Sequence, residues 1–214
     1  MNTETLLQKL GARYACKKFD NTKQIPEATW SALEEAVRLA PSSFGLQPWK
    51  FIVVKDKALR ATLRQHSWDQ SQVETASHLV VIATRTSMSE KEVQAHLENI
   101  AQTRSVPLEA LKDYAGMMNG FISAYGANSD AVRSWTAKQG YIALGFLLES
   151  AAMLDIDTCP MEGFDAAQYN ELLGLNHSGF TATVVCAVGY RAADDGFAQA
   201  KKVRFSKEQV IEYR

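Results

Sequence analysis

The sequence predicts an α+β fold, and three observations carry that reading. Apolar runs of strand character are few: Phe51-Ile52-Val53-Val54, His78-Leu79-Val80-Val81-Ile82-Ala83 and Thr181 to Val188. Between Ser87 and Ile156 the pattern is almost wholly helical. Neither Gly-x-Gly-x-x-Gly nor Gly-x-x-x-x-Gly-Lys-Ser/Thr occurs, which argues against the doubly wound dinucleotide arrangement that alternating strands and helices would otherwise permit. With 214 residues and a hydrophobic content of 46%, the chain can fill one sizeable core.

Each element has its own signal. Leu6, Leu7 and Leu10 form a helical stripe that Gly11 is placed to end as a C-cap. Arg13-Tyr14-Ala15-Cys16-Lys17-Lys18-Phe19-Asp20 is short, basic and poorly periodic: either a solvated face, or an anion site on which Arg13 and Lys17 converge. Pro26 suits the first position of a helix that carries Trp30, Leu33, Val37 and Ala40, with Glu34 and Arg38 as an exposed i,i+4 pair. The stretch from Ala40 to Trp49 holds two prolines, a glycine and two hydroxyls. Such a loop can present backbone N–H groups and a side-chain amide at fixed geometry.

Asp56 reads as the N-cap of a helix bearing Leu59 and Leu63. Ser87 with Glu90 resembles a capping box, Pro107 opens another helix, and Gly126-Ala127-Asn128 breaks it before Ser129 starts a third. Within that third helix, Tyr141 to Leu148 is apolar nearly all round. In a chain of this size it is expected to be buried at a subunit interface. A short helix closed by Gly174 precedes the last strand. The tail from Arg191 to Arg214 has too few apolar residues for its own core, so 1–214 is read as one domain with an extended tail.

Composition excludes several functions. Lys+Arg 23 against Asp+Glu 24 gives a net charge of −1, without the basic surplus of a nucleic-acid binder. Cys16, Cys159 and Cys186 are odd in number and widely spaced, and the chain opens on polar residues rather than an apolar signal segment; reduced thiols and a cytoplasmic location are expected. The longest apolar-rich stretch falls short of the ~20 residues that a membrane span needs. His66, His78, His96 and His177 lack metal-ligand spacing. Cys16 lies among cations that could activate its thiol, but nothing supplies a paired base, and a bystander role is expected.

Six fragments then resemble, in order and content, the FMN-dependent nitroreductase family: Arg13 to Asp20; Ala40-Pro41-Ser42-Ser43 with Gln47-Pro48-Trp49; Thr75-Ala76-Ser77-His78; Lys138-Gln139-Gly140-Tyr141; Pro160 to Asp165; and Lys202-Val203-Arg204. More narrowly, the chain is similar to bacterial oxygen-insensitive NAD(P)H nitroreductases and their dihydropteridine- and flavin-reductase relatives, from about Leu10 to the C-terminus. The resemblance implies a homodimer with a mainly antiparallel sheet flanked by helices, exchanged tails (191–214 packing on the partner subunit) and one FMN in each interfacial pocket. NADH or NADPH would donate electrons to a nitroaromatic, quinone or flavin acceptor by a ping-pong mechanism. Other flavin chemistry (enoate or pteridine reduction, dehalogenation), a non-catalytic flavin-binding protein and a cofactor-free interaction protein are the alternatives.

Carried over residue by residue, the resemblance implies that Arg13, Lys202 and Arg204 grip the FMN phosphate, with Tyr14 and Ala15 along the ribityl chain. Ala15 stands where serine is common. Lys17, Asp69 and Gln72 would approach the N1/O2 edge, where reduction places negative charge. Asp69 replaces an expected asparagine, and Gln72 stands where some members carry lysine. Pro160, Met161, Glu162 and Gly163 would pack against one face, with Glu162 and Gly163 near N5. Pro41, Ser42, Ser43, Gly45 and Gln139 would come from the other subunit, Tyr141 would lie beside the flavin, and Phe44, Trp68 and Phe121 would line the open face.

Overall fold

The computed structural model describes residues 2–125 and 129–214. The predicted break at Gly126-Ala127-Asn128 lies outside the described residues. The chain runs α1 (Thr3–Ala12), α2 (Glu27–Arg38), β1 (Trp49–Val54), α3 (Lys57–Gln65), α4 (Gln72–Thr75), β2 (His78–Arg85), α5 (Glu90–Arg104), α6 (Lys112–Tyr125), α7 (Ser129–Met153), β3 (Asp157–Met161), α8 (Ala166–Leu172), β4 (Phe180–Gly189) and α9 (Lys207–Val210). Four strands pair antiparallel in the order β1-β2-β4-β3, as the α+β reading requires.

Alternation along the two central strands explains the layering. Leu79, Val81, Ala83, Val185 and Ala187 face one core with Leu63 and Tyr169, whereas Val80, Ile82, Val184, Cys186 and Val188 face α2 and α7 through Trp30, Leu33, Leu144 and Leu147. Because both faces are covered, β2 reads as a continuous apolar run. β3 was not recognisable as a strand from its sequence, since it contains Pro160; it lies at the sheet edge, where a missing N–H costs least. A third core, formed by α5 and α6 with Trp135 of α7, stands apart from the sheet and packs on Leu46 and Phe44 of the 40–49 loop.

Several element ends differ from the local sequence pattern. Gly11 lies inside α1, and the helix ends where Arg13 turns extended (ψ 133°). Pro26 occupies the N-cap position rather than the first helical one. Arg38 pairs with Glu35, while Glu34 accepts from the indole N–H of Trp30 at 2.7 Å. The capping box is Ser89 with Glu92, two residues beyond the predicted one, whereas Asp56 caps α3 as predicted. The stretch Tyr141 to Leu148, expected at a subunit interface, is two-faced within one chain: Ala143, Leu144 and Leu147 are buried, whereas Tyr141, Ile142 and Phe146 are 39%, 41% and 38% exposed. Among the described residues, no helix is long and apolar enough to cross a membrane.

Candidate functional site

The basic segment after α1 runs extended beside β3. Ala15 bridges Thr158, Cys16 N–H donates to the Thr158 carbonyl at 3.0 Å, and Phe19 bridges Arg191. This register buries Cys16 and Phe19 and leaves Lys17 and Lys18 exposed. Burial and the nearby Asp157 push the Cys16 thiol up to about 12, so the bystander reading holds. All three cysteines are buried and free.

At the start of this segment lies a cavity of about 460 Å³ walled by Arg13, Tyr14 and Ala15, by Leu148 and Pro160, and by Phe197, Ala198, Ala200, Lys201, Lys202 and Arg204 of the tail. Arg13, Lys201, Lys202 and Arg204 line it, and no acid does. Lys202 donates to the Arg13 carbonyl; burial first, then the charges of Arg13 and Arg204, pull its pKa down. Four cations around one cavity repel one another unless an anion enters, so the donor set fits a dianionic phosphate. Beside this wall the Thr158 hydroxyl is fully buried and lacks a hydrogen-bond partner.

The hub of this region is a residue without a sequence signal. Asp195, 4% exposed, accepts from Tyr14 Oη at 2.8 Å and from the backbone N–H groups of Lys17 (2.9 Å), Lys18 (3.2 Å) and Phe197 (3.1 Å). Desolvation alone would raise its pKa, but these donors hold it below the usual carboxylate value. Tyr14 is thereby fixed by Asp195 and by Arg191, which stacks on its ring at 4.7 Å and pairs with buried Asp157.

A second group forms at the end of β3. Tyr141 donates to Glu162, and burial followed by that bond pushes the phenol up to about 12. Trp68 and Asp69 both adopt left-handed backbone (φ 53° and 54°), which lays the Trp68 ring against Gly163. A Cβ added at Gly163 would lie 2.6 Å from Trp68 Cε3, so glycine is required for this contact. Gln70 donates to the Gly163 carbonyl at 3.2 Å. Asp69, expected at the flavin edge, pairs with Arg64 at 2.8 Å, and Gln72 is buried beside Cys159.

The third group is the 40–49 loop. Phe44, Gly45 and Gln47 have φ of 55°, 73° and 45°. The carbonyl of Phe44 accepts from Tyr114 Oη at 3.0 Å and lies 3.1 Å from His96 Nε2. Ser43 N–H donates to the amide oxygen of Gln139 at 2.8 Å, and Gln47 N–H donates to the Ser42 hydroxyl at 2.9 Å. The Phe44 ring packs edge-on to Phe121 at 5.1 Å. His96 and Tyr114 gave no sequence signal, because their partner is a carbonyl 52 or 70 residues away. Among the described residues, no hydrogen bond or ring contact joins this loop to the cation cavity of the same chain.

The Nitroreductase family matches residues 10–190. A Staphylococcus aureus protein provisionally named NAD(P)H nitroreductase is 37% identical over 98% of this chain and 96% of its own. In fold, the chain resembles a Bacillus subtilis structure described as a nitroreductase (TM-score 0.87, 20% identity, 100% of both chains). It also resembles an Exiguobacterium sibiricum nitroreductase-type structure solved in complex with FMN (TM-score 0.83, 20% identity, 98% and 97% of the two chains). The cation cavity, the Glu162-Gly163 wall and the polar loop therefore sit in a chain that belongs to the nitroreductase family.

Proposed function

We propose that the chain is an NAD(P)H-dependent FMN oxidoreductase that acts as a homodimer on nitroaromatic, quinone or flavin acceptors. The observation that carries this reading is the acid-free cavity on which Arg13, Lys202 and Arg204 converge. When bound, FMN would supply the hydride and electron transfer between NAD(P)H and the acceptor, the two taking turns at one open face in a ping-pong cycle. The chain's residues bind, orient and exclude water. Arg13, Lys202 and Arg204 hold the phosphate, Tyr14 and Ala15 flank the ribityl chain, and Lys17 with Gln72 serves the N1/O2 edge. Pro160, Met161, Glu162 and Gly163 form one wall, with Tyr141 fixing the Glu162 carboxylate. Asp69 is omitted from this set, because its charge is paired with Arg64.

The site is composite in this reading. Pro41, Ser42, Ser43, Gly45 and Gln139 reach the flavin from the partner subunit, and Phe44, Trp68 and Phe121 form the open face. Two features support a dimer: the apolar stripe Tyr141, Ile142 and Phe146 on α7, and a tail whose Val203, Phe205 and Tyr213 are 84%, 78% and 82% exposed. From Arg191 to Arg204 the extension meets its own chain, through Asp195 and through Lys202 on the Arg13 carbonyl, so the exchange in this reading involves the residues from Phe205 onward.

The visible spectrum of the purified protein, before and after anaerobic addition of NADH or NADPH, tests cofactor and turnover together. Flavin absorbance that bleaches and then recovers with an added quinone is expected; protein that stays colourless after FMN titration overturns the reading. Gly163→Ala is expected to displace Trp68 and raise acceptor KM several-fold. Its stability should change by less than about 1 kcal/mol, since Trp68 is exposed and can swing away. An unchanged KM would remove Trp68 from the acceptor face.

A further inference from the structure

We propose that Asp195 is the positioning residue that assembles the phosphate end of the flavin site, an inference that rests on reading the cation cavity as that end. The cavity's cations come from two distant stretches of chain: Arg13 from the end of α1, and Lys201, Lys202 and Arg204 from the tail. Like charges drive these stretches apart. Asp195 holds them together. Its Oδ2 accepts from Tyr14 Oη and from the N–H groups of Lys17 and Lys18, which lie 177 to 181 residues away in sequence, while Oδ1 accepts from Phe197 N–H at the root of the tail. Cys16 Sγ adds a weak contact at 3.6 Å.

Only an ionised carboxylate accepts at both oxygens from this many donors. An asparagine of equal size must turn its NH2 toward one set, leaving at least one donor of that set opposed by another donor. Two physical effects then predict opposite signs for Asp195→Asn. Removing a negative charge raises the local positive potential and by itself tightens phosphate binding. Releasing the segment that follows Arg13 from the tail root lets Arg13 part from Lys202 and Arg204 and weakens it. Hydrogen bonds to a charged acceptor are strong enough that the second effect dominates.

The test compares FMN with riboflavin, which lacks the phosphate, by titrating deflavinated protein with each. Asp195→Asn is expected to weaken FMN binding by about tenfold or more while changing riboflavin binding far less, so that the preference for FMN collapses. A general loss of stability would weaken both ligands alike. An unchanged or increased preference in Asp195→Asn overturns the proposal. If that variant does not fold, Tyr14→Phe decides: it keeps the carboxylate but removes one donor, and a reduced preference for FMN supports the role whereas an unchanged one overturns it. A wild-type protein with no preference for FMN over riboflavin instead refutes the phosphate reading of the cavity.

Discussion

Arg204→Ala weakens FMN binding by roughly ten- to a hundredfold, the equivalent of about 1.5–3 kcal/mol for a hydrogen bond to a charged group. The side chain is exposed and its Nη1 donates only to the neighbouring Val203 carbonyl at 2.7 Å, so the substitution opens no core cavity. Stability should therefore stay within about 0.5 kcal/mol of wild type. Calorimetric titration with FMN measures the affinity and a thermal melt of the deflavinated protein measures the stability. Loss of affinity should shrink at high ionic strength, where the phosphate contact is screened. Equal affinity in variant and wild type would remove Arg204 from the phosphate site.

Trp30→Ala produces the largest loss of stability, about 3–5 kcal/mol, because it removes an indole that is 2% exposed between α2 and the sheet. For a chain of this length the melting temperature should fall by about 6–20 °C. A second readout is local. The Trp30 ring stacks on His78 at 3.8 Å, and burial, with Arg60 and Lys55 nearby, holds the His78 pKa down at about 4. That value lies below the ordinary one of 6.5, so the unfolded chain takes up the proton first. Wild-type stability is thus complete above about pH 6.5 and declines as pH falls toward 4. In Trp30→Ala the imidazole becomes hydrated, its pKa rises toward the ordinary value, and the acid-side slope contributed by His78 flattens. NMR titration of the His78 ring reads this directly; an unmoved pKa would show that the stack does not dehydrate it.

Local signals were legible where cause and consequence lie close in sequence. Asp56 caps α3 because its acceptor is three residues from the donor, and Trp30, Leu33 and Val37 share a buried face because 3.6 residues make a turn. Errors of one or two residues, at Pro26 and at Ser89 with Glu92, arose because neighbouring residues offered nearly equivalent caps. β3 carries no strand signal, because Pro160 argues against a strand except at an edge, and edge position is a property of the assembled sheet. Glu34 stands four residues from both Trp30 and Arg38, and it accepts from the Trp30 indole N–H while Arg38 pairs with Glu35.

By itself the sequence determined the α+β class, the three apolar strand runs, the helix faces and the inventory of cations, hydroxyls and glycines that a flavin site requires. These follow from periodicity and side-chain chemistry, which each residue carries regardless of what lies across the fold. Only the tertiary structure decided how that inventory is shared out: Asp195 clamping Tyr14 and Lys17, Arg64 taking Asp69, Trp68 lying on Gly163, and Phe44 held from α5 and α6. Each of these contacts pairs groups that are many residues apart or depends on a left-handed backbone. No local pattern encodes such a pairing, because its geometry exists only once the sheet and helices have packed.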